Sequence, residues 1–111
     1  MKLQEPKNSQ KKPLVDVLET NDTFKVIADI SGLKKDDIDI GISKNSIEIT
    51  AIYKEVPEDS KFVQKERCYG KTHRKIMLPR EIKVKEVKVN YKNCILTTTL
   101  PKSVEDITKV D

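Results

Sequence analysis

Few side chains in this sequence could carry chemistry. His73 is the single histidine, Cys68 and Cys94 are the two cysteines, and Asp36, Asp37 and Asp39 form a tight group of carboxylates. A zinc or other transition-metal centre needs cysteine or histidine ligands at close spacing, and neither cysteine has such a neighbour. A calcium loop spreads its oxygen ligands over about twelve residues and closes on a distal glutamate, a longer pattern than these aspartates supply. His73 could serve as a general base only if a carboxylate oriented it towards a substrate or nucleophile. The sequence holds no Gly-rich phosphate loop and no nucleophile elbow. The aspartates therefore read as a turn entering a strand, and the histidine as a surface strand residue. The cysteines read as buried structural thiols, kept reduced. The expectation is a protein that is not an enzyme and that uses no metal or cofactor.

The chain has 111 residues, 36% of them charged and 36% apolar, with aromatics at 5%. That length makes one domain with a modest core, which must be built of Ile, Val and Leu. A small aliphatic core among so many charges favours extra stabilisation by self-association. The net charge of +4 is spread over interleaved Lys and Asp/Glu. Binding nucleic acid would need a basic stripe on one face, so a solvated mixed-charge surface is the better reading. No apolar run is long enough for a transmembrane helix, and the N-terminus is too polar for a secretory signal. A soluble, cytoplasmic protein is expected.

Period-two alternation dominates the elements that position these groups. Residues 1–13, polar and lysine-rich with Leu3 as their aliphatic, are expected to be a disordered arm. Leu14 to Glu19 reads as a first strand and Thr20 to Thr23 as a turn. Phe24, Val26, Ala28 and Ile30 mark the apolar face of a second strand. Ser31 to Asp37 breaks the pattern with Gly32 and one helical turn. Ile38, Ile40 and Ile42 mark a third strand, and Ile47, Ile49 and Ala51 a fourth. Residues 53–69 then form a charged excursion in which Lys61 to Arg67 could make a short strand with no place in its own sheet. Its open edge would be satisfied by another subunit. Thr72, Arg74, Ile76 and Leu78 lie on one face of the next strand, which stops at Pro79. A hairpin from Val87 to Pro101 completes the chain, with Val87, Val89 and Tyr91 on one face and Asn93 at the turn. Residues 103–111 are a short polar tail. Strands about ten residues apart with polar turns predict an all-β, antiparallel sandwich or barrel.

From Leu14 to Lys102 these residues resemble the α-crystallin domain of small heat-shock proteins. Val15-Asp-Val-Leu-Glu-Thr20 is similar to the family's first domain strand, and Asp29-Ile-Ser-Gly-Leu-Lys-Lys-Asp-Asp-Ile38 to its bend. Glu66-Arg-Cys-Tyr-Gly-Lys-Thr-His-Arg-Lys-Ile-Met-Leu-Pro79 keeps the family's spacing of E-R, G, R and L-P. Lys92-Asn-Cys-Ile-Leu96 and Leu100-Pro-Lys102 stand where the family has Asn-Gly-Val-Leu and a closing Leu-Pro-Lys. The resemblance implies an immunoglobulin-like β-sandwich over residues 14–102. It implies an ATP-independent holdase of the stress response, which keeps partly unfolded clients from aggregating until ATP-driven chaperones refold them. It also implies a homodimer by strand exchange, with Phe62, Val63, Glu66 and Arg67 of the arm lying near Val15 and Val17 of the partner and Arg74 in interface ion pairs. A partner groove is implied between Ile38, Ile40 and Ile42 on one side and Val87, Val89 and Tyr91 on the other.

The chain departs from the family at several points. Cys94 replaces the turn glycine and resists positive φ, so Asn93 is expected to take the left-handed position alone, or the hairpin to use another turn type. Val89 stands for an alanine and Thr72 for a phenylalanine. The tail has Ile107 and Val110 but no Ile-x-Ile, and the N-terminal arm lacks apolar content. A dimer with at most weak higher assembly is therefore expected. The alternatives are a CS-type co-chaperone adaptor on the same sandwich, and a basic β-barrel binding single-stranded nucleic acid, which would need a face of stacking aromatics.

Overall fold

In the computed structural model of the chain, residues 12–104 are described. Seven strands appear in chain order: β1 Val15–Glu19, β2 Thr23–Asp29, β3 Ile38–Ser43, β4 Ser46–Ile52, β5 Lys71–Met77, β6 Lys88–Lys92 and β7 Ile95–Pro101. Two short 3-10 turns, Lys35–Asp37 and Val84–Glu86, precede β3 and β6. The strands form an immunoglobulin-like sandwich of two antiparallel sheets, one ordered β1-β2-β7-β6 and the other β3-β4-β5. The expected disordered arm over residues 1–13 lies outside the described residues except for Lys12 and Pro13, and so does the tail beyond Val104. Pro13 itself is fully buried and belongs to the sandwich.

Alternation in the sequence becomes the two faces of each sheet. Phe24, Val26 and Ala28 on β2, Ile47, Ile49 and Ala51 on β4, and Leu96 and Leu100 on β7 are buried and pack into one core, closed at its ends by Ile30, Leu33, Leu78 and Ile82. The sheets are unequal, four strands against three, so the smaller cannot cover the larger. Val17 on β1 pairs with buried Val26, and Val89 on β6 with buried Thr98, so both point inward. Yet Val17 is 44% and Val89 49% exposed. The uncovered inner face lies at the two edges of the larger sheet.

One expectation about backbone is corrected. Asn93 and Cys94 both have positive φ, 53° and 63°. A two-residue hairpin favours a type I′ or II′ turn, whose twist matches the right-handed twist of the strands, and positive φ at both central positions makes this one type I′. The demand of the ladder, from Lys92↔Ile95 onward, overrides the reluctance of a cysteine. Within the single chain, the arm between Ile52 and Lys71 forms turns and irregular chain, so it has no place in either sheet of its own sandwich. Tyr53 N–H donates to Gly70 O at 2.8 Å and closes its base, but among the described residues no strand lies alongside residues 61–67 to receive a ladder.

Candidate functional site

At the β6 edge of the larger sheet, the uncovered strip faces β3, an edge strand of the smaller sheet. A groove of about 290 Å³ runs between them. Ile38 and Ile40 line it from β3, Val89 and Tyr91 from β6, and buried Leu96 from below, while Lys35 and Asn90 stand at its rim. Residues two apart on a strand share a face, so Ile38/Ile40 and Val89/Tyr91 oppose each other as two pairs. Both walls are edge strands with no neighbouring strand on the groove side among the described residues. The groove thus offers apolar surface together with open backbone donors and acceptors. Ile42 and Val87 lie elsewhere. Ile42 lines a separate depression with Gly41, Ser43, Ser46, Glu48 and Lys75, and Val87, at the end of the second 3-10 turn, packs on the core.

Tyr91 fixes the mouth of the groove. Its hydroxyl lies 2.6 Å from Leu33 O and 3.1 Å from Ile30 O, and so ties β6 to the bend that leads into β3. Burial pushes its phenol above the usual range, and the charge and hydrogen bond of nearby Cys94 and the Asp37 carboxylate push the same way. The Asp37 carboxylate turns back to accept the Lys34 N–H at 3.1 Å, which shapes the turn carrying Lys35. Lys35, Asn90 and Leu96 are the groove residues that sequence reasoning missed, and Lys35 is the charged one. The helical turn was legible, but which of its side chains reaches the facing sheet depends on how the bend is seated.

At the opposite edge, β1 leaves Val17 and Leu18 exposed. Arg74 on β5 reaches over and donates from Nη1 to Pro13 O at 2.8 Å, within its own chain. Glu66 and Arg67 of the arm line a depression with Leu14 and Tyr53, close to the start of β1. Phe62 stacks on Tyr69 with centroids 5.0 Å apart and carries the Lys65 ammonium 5.1 Å from its centroid, while Val63 is 98% exposed. The arm is therefore braced near its root and bare at Val63.

The remaining chemically capable residues do not converge. His73 and Lys75 both lie near Glu48, at 3.7 and 3.8 Å, as half-exposed surface pairs. Cys94 is exposed at its turn and Cys68 only partly covered, so the buried, structural reading of the thiols is corrected: one lies in the β6–β7 turn and the other in the arm, neither on the inner face of a strand. Among the described residues no three His, Cys, Asp or Glu side chains are grouped to hold a metal ion. No helix among them is long and apolar enough to cross a membrane.

A sandwich with a long arm between its fourth and fifth strands and a groove between two edge strands has close relatives. The model of the Hsp20/alpha crystallin family matches residues 16–110. The chain belongs to that family. It is similar to the 22.7 kDa class IV heat shock protein of Pisum sativum, 36% identical over 95 residues, which cover 83% of this chain and 48% of that one. It is also similar to an 18 kDa heat shock protein of Clostridium acetobutylicum, 32% identical over 82% of this chain and 62% of the other. The chain thus spans about half to two thirds of these relatives. Among solved structures, Heat shock protein 16.0 from Schizosaccharomyces pombe superposes with a TM-score of 0.75 at 27% identity, covering 92% of this chain and 96% of that one. The hspA of Xanthomonas axonopodis gives 0.73 at 27% identity, with 88% and 100% covered. Two features of the Hsp20 resemblance can now be placed. The closing lysine, Lys102, is buried, with its ammonium 2.7 Å from Glu19 Oε2 and 5.1 Å from the Phe24 ring centroid. The bend from Asp29 to Ile38 holds Gly32 at φ 82° and carries the chain from one sheet to the other.

Proposed function

We propose that this chain acts as an ATP-independent small heat-shock chaperone that captures extended segments of partly unfolded proteins. The groove between β3 and β6 carries this reading: paired aliphatic side chains on two unpaired strand edges, with Val89 half exposed at its wall. An extended client segment laid along such an edge gains affinity from main-chain hydrogen bonds and preference from the side-chain pockets. Capture needs no covalent step, so the reading assigns no catalytic residue and no cofactor. Held clients pass to ATP-driven chaperones for refolding, and two unpaired thiols suit a reducing compartment such as the cytoplasm.

The proposed assembly is a homodimer in which the arm, residues 53–69, of one chain lies along β1 of the other. Val15 and Val17 would be covered by Phe62 and Val63, with Glu66, Arg67 and Arg74 at the polar margin. Support comes from the exposed inner face of β1 and from an arm that has no strand partner among the described residues.

The test is light scattering of a heat-labile protein with and without an equimolar amount of the full chain, in the absence of ATP. Suppression of scattering by the wild type, weakened by Val89→Asp, is expected; no protection by the wild type would overturn the reading. Gel filtration with multi-angle light scattering should find two chains per particle. A monomer, or a stable particle of a dozen or more chains, would contradict the assembly.

A further inference from the structure

We propose that the groove selects segments whose aliphatic residues are flanked by a carboxylate, and that Lys35 is the residue that reads it. This rests on the groove being the client site. Lys35 is the one charged residue lining the groove. It stands just before β3, at the end of the groove where Ile38 and Tyr91 face each other. None of the carboxylates nearest in sequence lines the groove, although Asp36 adjoins Lys35 on the same exposed turn and the Asp37 carboxylate lies close enough to Tyr91 to raise its phenol. Asp37 is tied to the Lys34 N–H, and Asp39 alternates onto the outer face of β3, away from Ile38 and Ile40. On β6, Lys88 and Lys92 alternate to the outer face and keep the field around that wall positive.

An extended segment presents every second side chain to the groove floor. Two aliphatic residues two apart would seat between Ile38/Tyr91 and Ile40/Val89, so a residue one or two positions beyond the Ile38/Tyr91 end falls beside the Lys35 ammonium. A Glu or Asp there completes an ion pair, and a Lys there meets a like charge. Because the rim is solvated, the discrimination is modest, about three- to five-fold between acidic and basic flanks. In an unfolded client this favours segments where an acidic residue adjoins an aliphatic pair over those with a basic one.

Fluorescence anisotropy of the full chain with labelled synthetic peptides tests this. Each peptide carries two isoleucines two residues apart, with Glu, Gln or Lys at the flank; one set places that residue before the pair and another after it. In at least one set, affinity should fall in the order Glu, Gln, Lys, spanning about three- to five-fold and narrowing at high salt. Lys35→Gln should bring the three affinities within about two-fold of one another, and Lys35→Glu should invert the order. Equal binding of all three by the wild type, or an order unchanged in Lys35→Glu, overturns the assignment while leaving the groove as the client site. If no peptide binds, and Val89→Asp leaves client protection untouched, the groove reading falls and this assignment with it.

Discussion

Cys94→Gly should stabilise the protein, although it removes a side chain. Cys94 is held at φ 63° as the second central residue of the β6–β7 turn. For an L-residue with a Cβ the left-handed region costs about 1–2 kcal/mol, and glycine escapes that cost. Glycine also loosens the unfolded chain, which offsets about 0.4–1 kcal/mol. The Cys94 side chain is exposed, so little packing is lost beyond its contact with Tyr91. The net expectation is a gain of about 0.5–1 kcal/mol, which shifts the melting temperature upward by roughly 2–8 °C for a domain of this size. Asn93, at φ 53°, tolerates the same region, so Asn93→Gly should change stability much less. Cys94→Val should cost more than the glycine gains, because a β-branched residue is poorly accommodated at positive φ.

Urea unfolding at one fixed protein concentration is the assay, since self-association makes the midpoint concentration-dependent. The midpoint should rise for Cys94→Gly and fall for Cys94→Val with the slope unchanged. If Cys94→Gly is neutral or destabilising while Cys94→Val is silent, residue 94 is not left-handed and the type I′ assignment is wrong.

Three further outcomes follow from buried polar groups. Glu19→Gln leaves the buried Lys102 ammonium without its carboxylate at 2.7 Å; with Glu19 half exposed, the loss should be about 2 kcal/mol by urea unfolding, and a change under about 0.5 would show the pair to be idle. Thr98 is fully buried with a hydroxyl that finds no hydrogen-bond partner among the described residues, so the near-isosteric Thr98→Val should raise the unfolding free energy by about 1 kcal/mol, and a fall would mean the hydroxyl is satisfied in solution. Tyr91→Phe should cost about 1–2 kcal/mol at neutral pH by freeing the carbonyls of Leu33 and Ile30. Because the folded phenol titrates above its usual 10.0, the native state holds its proton longer than the unfolded chain; wild-type stability is therefore full below pH 10 and lost as pH rises through the folded value. Unfolding midpoints at pH 8 and at alkaline pH should show a smaller alkaline loss in Tyr91→Phe, and equal losses would remove Tyr91 as its source.

What could be read from the sequence was whatever depends on period and sign. Alternation in Thr23–Asp29 and Ser46–Ile52 identified the buried face of each strand, because a one-residue slip would have placed charges in the core. The groove was legible only in part. Alternation places Ile38, Ile40 and Ile42 on one face alike, but how far the opposing sheet extends decides which of them are covered, and that is a tertiary quantity. Lys35 escaped for the same reason. The turn at Asn93–Cys94 was misjudged because local preference was given more weight than the twist of the ladder, and the ladder wins. The arm shows the reverse limit: residues 61–67 have β-forming character, but a strand exists only where another edge receives it.

The two edges of the larger sheet are one architectural fact with two proposed uses. A four-stranded sheet over a three-stranded one must leave inward-facing side chains uncovered somewhere, and here the deficit is split, with Val17 at β1 and Val89 at β6 both about half exposed. A protein that had only to fold would be expected to cover such edges or blunt them with charge or proline. On the proposed reading the β1 edge is closed by the arm of a second copy, a partner always available at the right stoichiometry. The β6 edge then remains open for sequences the chain has never met. That asymmetry yields a consequence separable from client binding: Val17→Asp should split the dimer and leave peptide affinity at the groove intact, whereas Val89→Asp should abolish peptide binding and leave the dimer intact. Light scattering and anisotropy on the same two samples decide it. If either substitution disturbs both readouts alike, the edges are not independent and the division of labour is wrong.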